Sequence, residues 1–391
     1  MARSCARFLR DASLVSVGAC LHAVLFDVQL FNRKIETVAT SLAARFEQTH
    51  SGNISSTVCS EEQRDKQDKV VCDHFVGRDN LDEFLAYVRY HVPEASTFLD
   101  VGGNKGLFSA RIFELWRPEF GISSKGYSRE CVTPYFKRTG FPSHNFCGKS
   151  NMCREVAPDV LARIRSFAMS PSEVRRDGDL FVVHSFEPQP LLFDMHVEYQ
   201  GHNGFREVWQ WHRLAVSDFH GQVRFPNNTD EGGAIMMDGE EGTVVETVTL
   251  DTLAYGHRLF GNRVIDVLKI DAEGFDAQVV AGASRLLFEQ RIRVMMWETP
   301  NRFPLTLMGE IVTSHEALCD VLDRKALMTC YIPAKHDRMI KLTGCSQVLS
   351  VKCSSNKLQV QRVSKANVMC VHRTNAEHFA RVVEERALVY P

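Results

Sequence analysis

The sequence has no block of like charge. Lys and Arg total 46 against 48 Asp and Glu, for a formal net charge of −2. Phosphate binding over a broad face needs clustered Lys and Arg, so no nucleic-acid partner is expected, a narrow basic groove aside. None of the 12 cysteines stands in the C-x-x-C spacing of a zinc site. They are also too sparse for a disulfide-built scaffold. Buried free thiols are the expected state, and disulfides formed in a secretory compartment are the alternative. There is no internal repeat. Of His184, His196, His202, His212 and His220, none pairs at i, i+4 on a recognisable helix. They are expected to be hydrogen-bonded structural histidines rather than ligands.

A comfortable bilayer crossing is missing too. The uncharged run 12–26, "ASLVSVGACLHAVLF", follows Arg3, Arg7 and Arg10. It is shorter than the ~20 residues a spanning helix needs. It reads as a signal-peptide core or a marginal membrane anchor, with an Arg-rich targeting peptide or an ordinary N-terminal helix as rivals. Sequons stand at Asn53-Ile54-Ser55 and Asn227-Asn228-Thr229. A secretory or membrane-associated location is therefore favoured over a cytoplasmic or organellar one.

What is present is an α/β pattern. The chain has 391 residues, 44% hydrophobic and 24% charged, room for one large domain with extensions or two modest ones. Its expected parts are an N-terminal segment 1–50, a polar linker 51–78, a folded domain 79–375 and a C-terminal helix or tail 376–391. A helix opens the domain, with Asn80 as cap, Glu83 three residues on, and Leu81, Phe84, Leu85 and Val88 on one face. A strand, a glycine turn and a helix lined by Phe108, Ile112 and Leu115 follow. Further strands are predicted at 180–186, 208–216, 244–250, 264–270 and 293–297, with late edge strands near 328–333 and 367–373. One helix carrying Val279, Ala283 and Leu286 should link the strands at 264–270 and 293–297. Trp209 and Trp211 fall on one face of a strand or pack under residues 117–179, which break the alternation and read as an insertion. Strands alternating with helices argue for a mostly parallel, doubly wound sheet.

Three motifs sit at predicted strand ends, where open α/β sheets bind ligands. In "LDVGGNKG", Asp100 precedes Gly102, Gly103 and Gly106. The spacing is not the G-x-G-x-x-G of dinucleotide folds, and an acid there repels a pyrophosphate. It suits a cofactor with a cationic amino group, such as S-adenosylmethionine; a tight turn with glycines for packing is the plainer reading. In "VVHSFEP", Glu187 closes a strand, where an acid takes ribose hydroxyls. It lies far more than the usual ~20 residues past the glycine loop, which fits only if 117–179 is inserted. In "VIDVLKIDAEG", Lys269, Asp271 and Glu273 share one side if the strand runs straight. Three such charges need a partner, a metal or a substrate.

In this order the motifs resemble the FkbM family of S-adenosylmethionine-dependent methyltransferases, whose pattern runs Asp-x-Gly-Ala-Asn-x-Gly, Phe-Glu-Pro, Lys-Ile-Asp-x-Glu-Gly. "LAVSDFHG", "VETVTLDTL", "VVAGASRLL" and "VMMWE" extend it over about residues 80–373. The resemblance implies a Rossmann-like class I methyltransferase fold, a mostly parallel seven-stranded sheet with helices on both faces, and methyl transfer to a hydroxyl of a small molecule, glycan or lipid-like acceptor. It places Asp100, Gly102, Gly103, Asn104 and Gly106 around the methionine part of the cofactor, Glu187 on the ribose, and Ser217 and Asp218 beside the adenine. Gly103 replaces the usual Ala, an exchange expected to be harmless, and Asp276 replaces a more usual Glu. Asp271 or Glu273 is expected to accept the acceptor's proton, with Lys269 tuning their charge. A divalent metal bridging Asp271, Glu273 and Glu298 is the alternative route, though no metal ligand is assigned. The rival classes are a non-catalytic binding protein that keeps the pocket and a nicotinamide-dependent oxidoreductase.

Overall fold

The computed structural model describes residues 81–139, 181–225, 242–299, 302–333, 339–342, 352–354, 360–362 and 367–388. The expectations for the N-terminal segment, the linker, the Asn80 cap, the later part of the insertion and both sequons lie outside those residues. In chain order the first strands are β1 (Thr97–Val101), β2 (Val182–Phe186), β3 (Trp209–His212), β4 (Ala215–Val216), β5 (Gly221–Phe225), β6 (Thr243–Val248), β7 (Ile265–Ile270) and β8 (Ile292–Glu298). Then come β9 (Leu305–Leu307), β10 (Glu310–Val312), β11 (Met328–Pro333), β12 (Met339–Lys341), β13 (Lys352–Ser354), β14 (Val360–Arg362), β15 (Asn367–His372) and β16 (Ala387–Leu388).

Nine of these form one sheet in the order β16-β12-β11-β15-β8-β7-β1-β2-β3. From β3 to β8 all neighbours are parallel. β15 runs antiparallel to both β8 and β11. The sheet thus has the expected class with two more strands than the expected seven; the extra pair, β12 and β16, are short strands added beyond β11 at one edge. β1, β2 and β7 are buried along their whole length. Both faces are covered, which is why these strands read as apolar runs rather than alternating ones.

Helices α1 (Leu81–His91) and α2 (Leu107–Trp116) cover one face together with α5 (Pro190–Asn203) and α9 (Glu377–Glu385), burying Leu85, Ile112, Met195 and Val383 against Phe98 and Val267. The other face packs α6 (Asp276–Ala281), α7 (Ser284–Phe288) and α8 (His315–Ala326) through Val280, Leu286 and Leu322 against Leu99 and Leu268. Each fully buried Leu, Ile or Val contributes about 1.5–3 kcal/mol.

Four readings of the sequence change. The single strand expected at 208–216 breaks after His212, and Ala215–Val216 pairs with β6 in a separate three-stranded sheet. The strand expected at 244–250 belongs to that small sheet too. Its Val244 and Glu246 face solvent, a one-sided pattern that a central parallel strand would not show. The expected linking helix is two, α6 and α7, interrupted at Gly282. A Cβ there would lie 2.0 Å from the Ser217 carbonyl oxygen, so backbone passes where a helical side chain would stand. Finally, the start of the insertion is helical: a 3₁₀ turn Pro118–Phe120, α3 (Ser124–Tyr127), a π-turn Ser128–Val132 and α4 (Thr133–Thr139). It buries Tyr127, Val132 and Phe136 in the core shared with α2 and α5.

Of the cysteines described, Cys131 and Cys319 are buried free thiols, as expected. Cys330 and Cys370 are not: they face each other across the β11–β15 ladder and form a disulfide. A pairing between strands forty residues apart has no local sequence signal. No helix among the described residues is long and apolar enough to cross a membrane.

Candidate functional site

The ends of β1, β2 and β7 converge because the sheet register puts Asp100 between Ser185 and Lys269. Backbone bonds then fasten the loops together. Gly102 and Gly103 N–H donate to the Phe186 carbonyl (3.0 and 2.9 Å), and Asp271 N–H donates to the Val101 carbonyl (3.0 Å). Gly102 has φ +72°, and a Cβ on it would lie 1.9 Å from the Asp271 carbonyl oxygen. The glycine is therefore required by the approach of the β7 loop itself, as the plainer reading of "LDVGGNKG" held.

A cavity of about 600 Å³, open mouth included, lies against these strand ends. Val101, Phe186, Leu192, Leu214, Val216, Phe225 and Phe275 give it apolar walls. Its polar lining includes Asn104, Glu187, Gln189, Asp271 and Glu273. That composition, mostly apolar with a few convergent polar groups, is what small-molecule sites show. Among the described residues, no three of His, Cys, Asp and Glu are grouped to hold a metal ion.

Glu187 is 4% exposed. Its two carboxylate oxygens accept the N–H groups of Asn104 (2.7 Å) and Gln189 (2.8 Å). Burial nonetheless pushes its pKa up to about 7, those two hydrogen bonds only partly opposing it. Each oxygen keeps a lone pair for a further donor. Gln189 is 5% exposed, and its Oε1 has no hydrogen-bond partner. An unsatisfied buried acceptor costs about 1–3 kcal/mol, so one on a cavity wall marks a place for a ligand donor. Sequence reasoning missed this residue; its only signal is its place two residues past the strand-end acid.

The three charges of the β7 end do not share a side, because the strand ends at Ile270 and the chain turns. Glu273 sits at φ +49° in that turn, solvent-exposed at the cavity rim. Asp271 lines the cavity, partly exposed. Lys269 does not line it: it is buried beneath the glycine loop, its Nζ 3.1 Å from Asp100 Oδ1, 3.5 Å from Asp271 Oδ2 and donating to the Gly102 carbonyl at 2.9 Å. Desolvation pulls its pKa down, but Asp100 and then Asp271 outweigh it, and the net shift is upward. Asp100 also accepts from the Ser109 hydroxyl (2.7 Å) and is wholly buried. The acid that the sequence offered to a cationic cofactor group is thus already paired with Lys269. Asp276, the residue that replaces a more usual Glu, does not line the cavity. It is buried, accepts N–H bonds from Ala272 (3.3 Å) and Glu298 (3.0 Å), and burial raises its pKa to about 7. Its visible work is tying the β7 loop to the end of β8.

A family model described as "Methyltransferase FkbM domain" matches residues 159–318. The FkbM match contains "SFEP" and "LKIDAEG" and begins after the glycine loop, which the sheet nevertheless places between them. Among solved structures, the chain is similar to methyltransferase FkbM from Methylobacillus flagellatus KT, at 9% sequence identity and a TM-score of 0.31. That likeness covers 78% of this chain and 58% of the other, less than two thirds of its length. No curated protein matches.

The residues around this cavity fit S-adenosylmethionine: Glu187 has capacity for ribose hydroxyls, Gln189 Oε1 lacks a donor, and the carboxylates suit a ligand with positive charge. Ser217 and Asp218 do not line the cavity; Ser217 N–H bonds to the Val248 carbonyl and its own carbonyl packs on Gly282. Leu214, Ala215 and Val216, just before them, supply that wall. Gly103 and Gly106 face away from it. A Cβ on Gly103 would lie 2.6 Å from the Trp211 ring, and one on Gly106 2.9 Å from His196 Cε1. A side chain at position 103 would therefore require the Trp211 ring to shift. Gly103→Ala is expected to destabilise the protein by about 1–3 kcal/mol, read from chemical denaturation, and Trp211→Leu should recover part of that loss.

Proposed function

We propose that this chain is an S-adenosylmethionine-dependent O-methyltransferase that methylates a hydroxyl of a small-molecule, sugar or lipid-like acceptor. The supporting observation is that Glu187, the unpartnered Gln189 oxygen and Asp271 line one cavity at the carboxyl ends of β2 and β7, the two parallel strands that flank β1. S-adenosylmethionine, when bound, supplies a methyl group on a positively charged sulfur. Glu187 accepts ribose hydroxyls, and Gln189 Oε1 accepts a further donor. Asp271 orients the acceptor hydroxyl and takes its proton. Lys269 holds Asp271 and Asp100 in place from below. Positioning of this kind supplies a large part of catalysis in an in-line displacement, and a placed base contributes about 10²–10⁴-fold.

Calorimetric titration of the whole chain with S-adenosylhomocysteine tests the cofactor. Ribose hydroxyls bond best to an ionised acid, and Glu187 titrates near 7. Affinity should therefore be full above pH 8 and fall by up to about tenfold per pH unit below 7. Glu187→Gln should flatten that dependence and bind about tenfold more weakly at pH 8. No binding to folded protein at any pH moves the non-catalytic reading ahead, and preferential binding of NAD moves the oxidoreductase ahead.

A further inference from the structure

Three buried side chains that the proposed chemistry does not use converge on the glycine loop. His196, on α5, is wholly buried. Its Nε2 lies 2.7 Å from the Asn104 carbonyl oxygen, and its Nδ1 is hydrogen-bonded to the Tyr127 hydroxyl. A carbonyl oxygen only accepts, so Nε2 carries the proton and Nδ1 accepts from Tyr127. Burial pushes the His196 pKa down to about 3, which keeps the ring neutral in that one tautomer at working pH. Trp211 stacks on the same ring, planes 7° apart, and closes its flank.

The clamp acts on a residue in a left-handed backbone conformation. Asn104 has φ +47°, in the left-handed region that asparagine enters more readily than most residues with side chains. Its carbonyl is held by His196, and its N–H donates to Glu187 Oε2. A continuous hydrogen-bonded chain therefore runs from Tyr127 through His196 and the backbone of Asn104 to the acid on the cavity wall. Tyr127 comes from the inserted segment, which the family motifs do not include.

We propose that Tyr127 is a positioning residue of the cofactor site, holding the Asn104 peptide through His196 and thereby orienting the Glu187 carboxylate. The proposal rests on the reading of Glu187 as a cofactor ligand. The insertion is then part of the cofactor site, although none of its described residues touches the cavity.

The test is a double-mutant cycle read by calorimetry with S-adenosylhomocysteine at pH 8, on the whole chain. Tyr127→Phe leaves His196 Nδ1 without its donor and should weaken binding about tenfold in the wild type. In the Glu187→Gln background the same substitution should weaken it less than twofold, because the oriented charge is gone. Cys319→Ala, in the core on the opposite face of the sheet, serves as control. It should lower thermal stability without changing affinity. An equal loss in both backgrounds, or no loss in either, overturns the proposal while leaving Glu187 as a ligand. No binding to the wild type removes the reading of Glu187 and the proposal with it.

Discussion

Asp271→Asn is expected to lower methyl-transfer turnover by roughly 10²–10⁴-fold, with S-adenosylhomocysteine affinity changed less than about threefold. The variant keeps the side-chain shape, and its N–H still reaches the Val101 carbonyl. What it loses is the ability to take a proton. Lys269 retains Asp100 as partner at 3.1 Å, so the fold beneath the site should survive, and a thermal melt checks this. Glu273→Gln is the comparison. Glu273 lies exposed on the turn, so its loss should cost less than tenfold. Methyl release at saturating cofactor, over a panel of hydroxylated acceptors, reads both. Normal turnover in Asp271→Asn would remove the base assignment, and a larger loss at Glu273 would transfer it to the turn.

The second large effect is on stability. Lys269→Met leaves Asp100 wholly buried, with Ser109 as its remaining side-chain donor in place of a cation. Breaking one side of a buried ion pair costs about 3–5 kcal/mol. At ~2–4 °C per kcal/mol for a domain of this size, the melting temperature should fall by about 10 °C. Asp100→Asn combined with Lys269→Met should recover much of the loss, because no uncompensated charge then remains. A loss below about 1 kcal/mol in the single variant would show that the pair contributes little beyond packing.

Much of this architecture is legible from residues alone. The strands of the large sheet's centre could be placed because parallel strands covered on both faces leave largely apolar runs such as "TFLDV" and "IDVLKI". The motifs could be placed at their ends because charges and glycines interrupt those runs. Legibility failed wherever the answer depended on what lies across space. Nothing in "VVAGASRLL" shows that Ser217 passes over Gly282 and splits the helix. Lys269, Asp271 and Glu273 read as one charged side, but the strand stops at Ile270 and the loops beside it dispose of each charge separately. Gln189 became visible only once its buried oxygen was found without a donor. Tyr127, His196 and Trp211 come from three different elements, and no spacing rule brings them together.

The position of β15 bears on how the chain is made. This six-residue strand lies between β8 and β11, bonded to both, yet it leaves the ribosome after every other residue of the glycine loop, cavity and central strands. A nascent chain that stops short of residue 367 can assemble β3 to β8 on one side and β11 with β12 on the other. The two parts then confront each other with raw edges, the kind of surface that recruits foreign strands. Closure of the sheet's centre is therefore timed by residues 367–372 rather than by the segments that line the cavity.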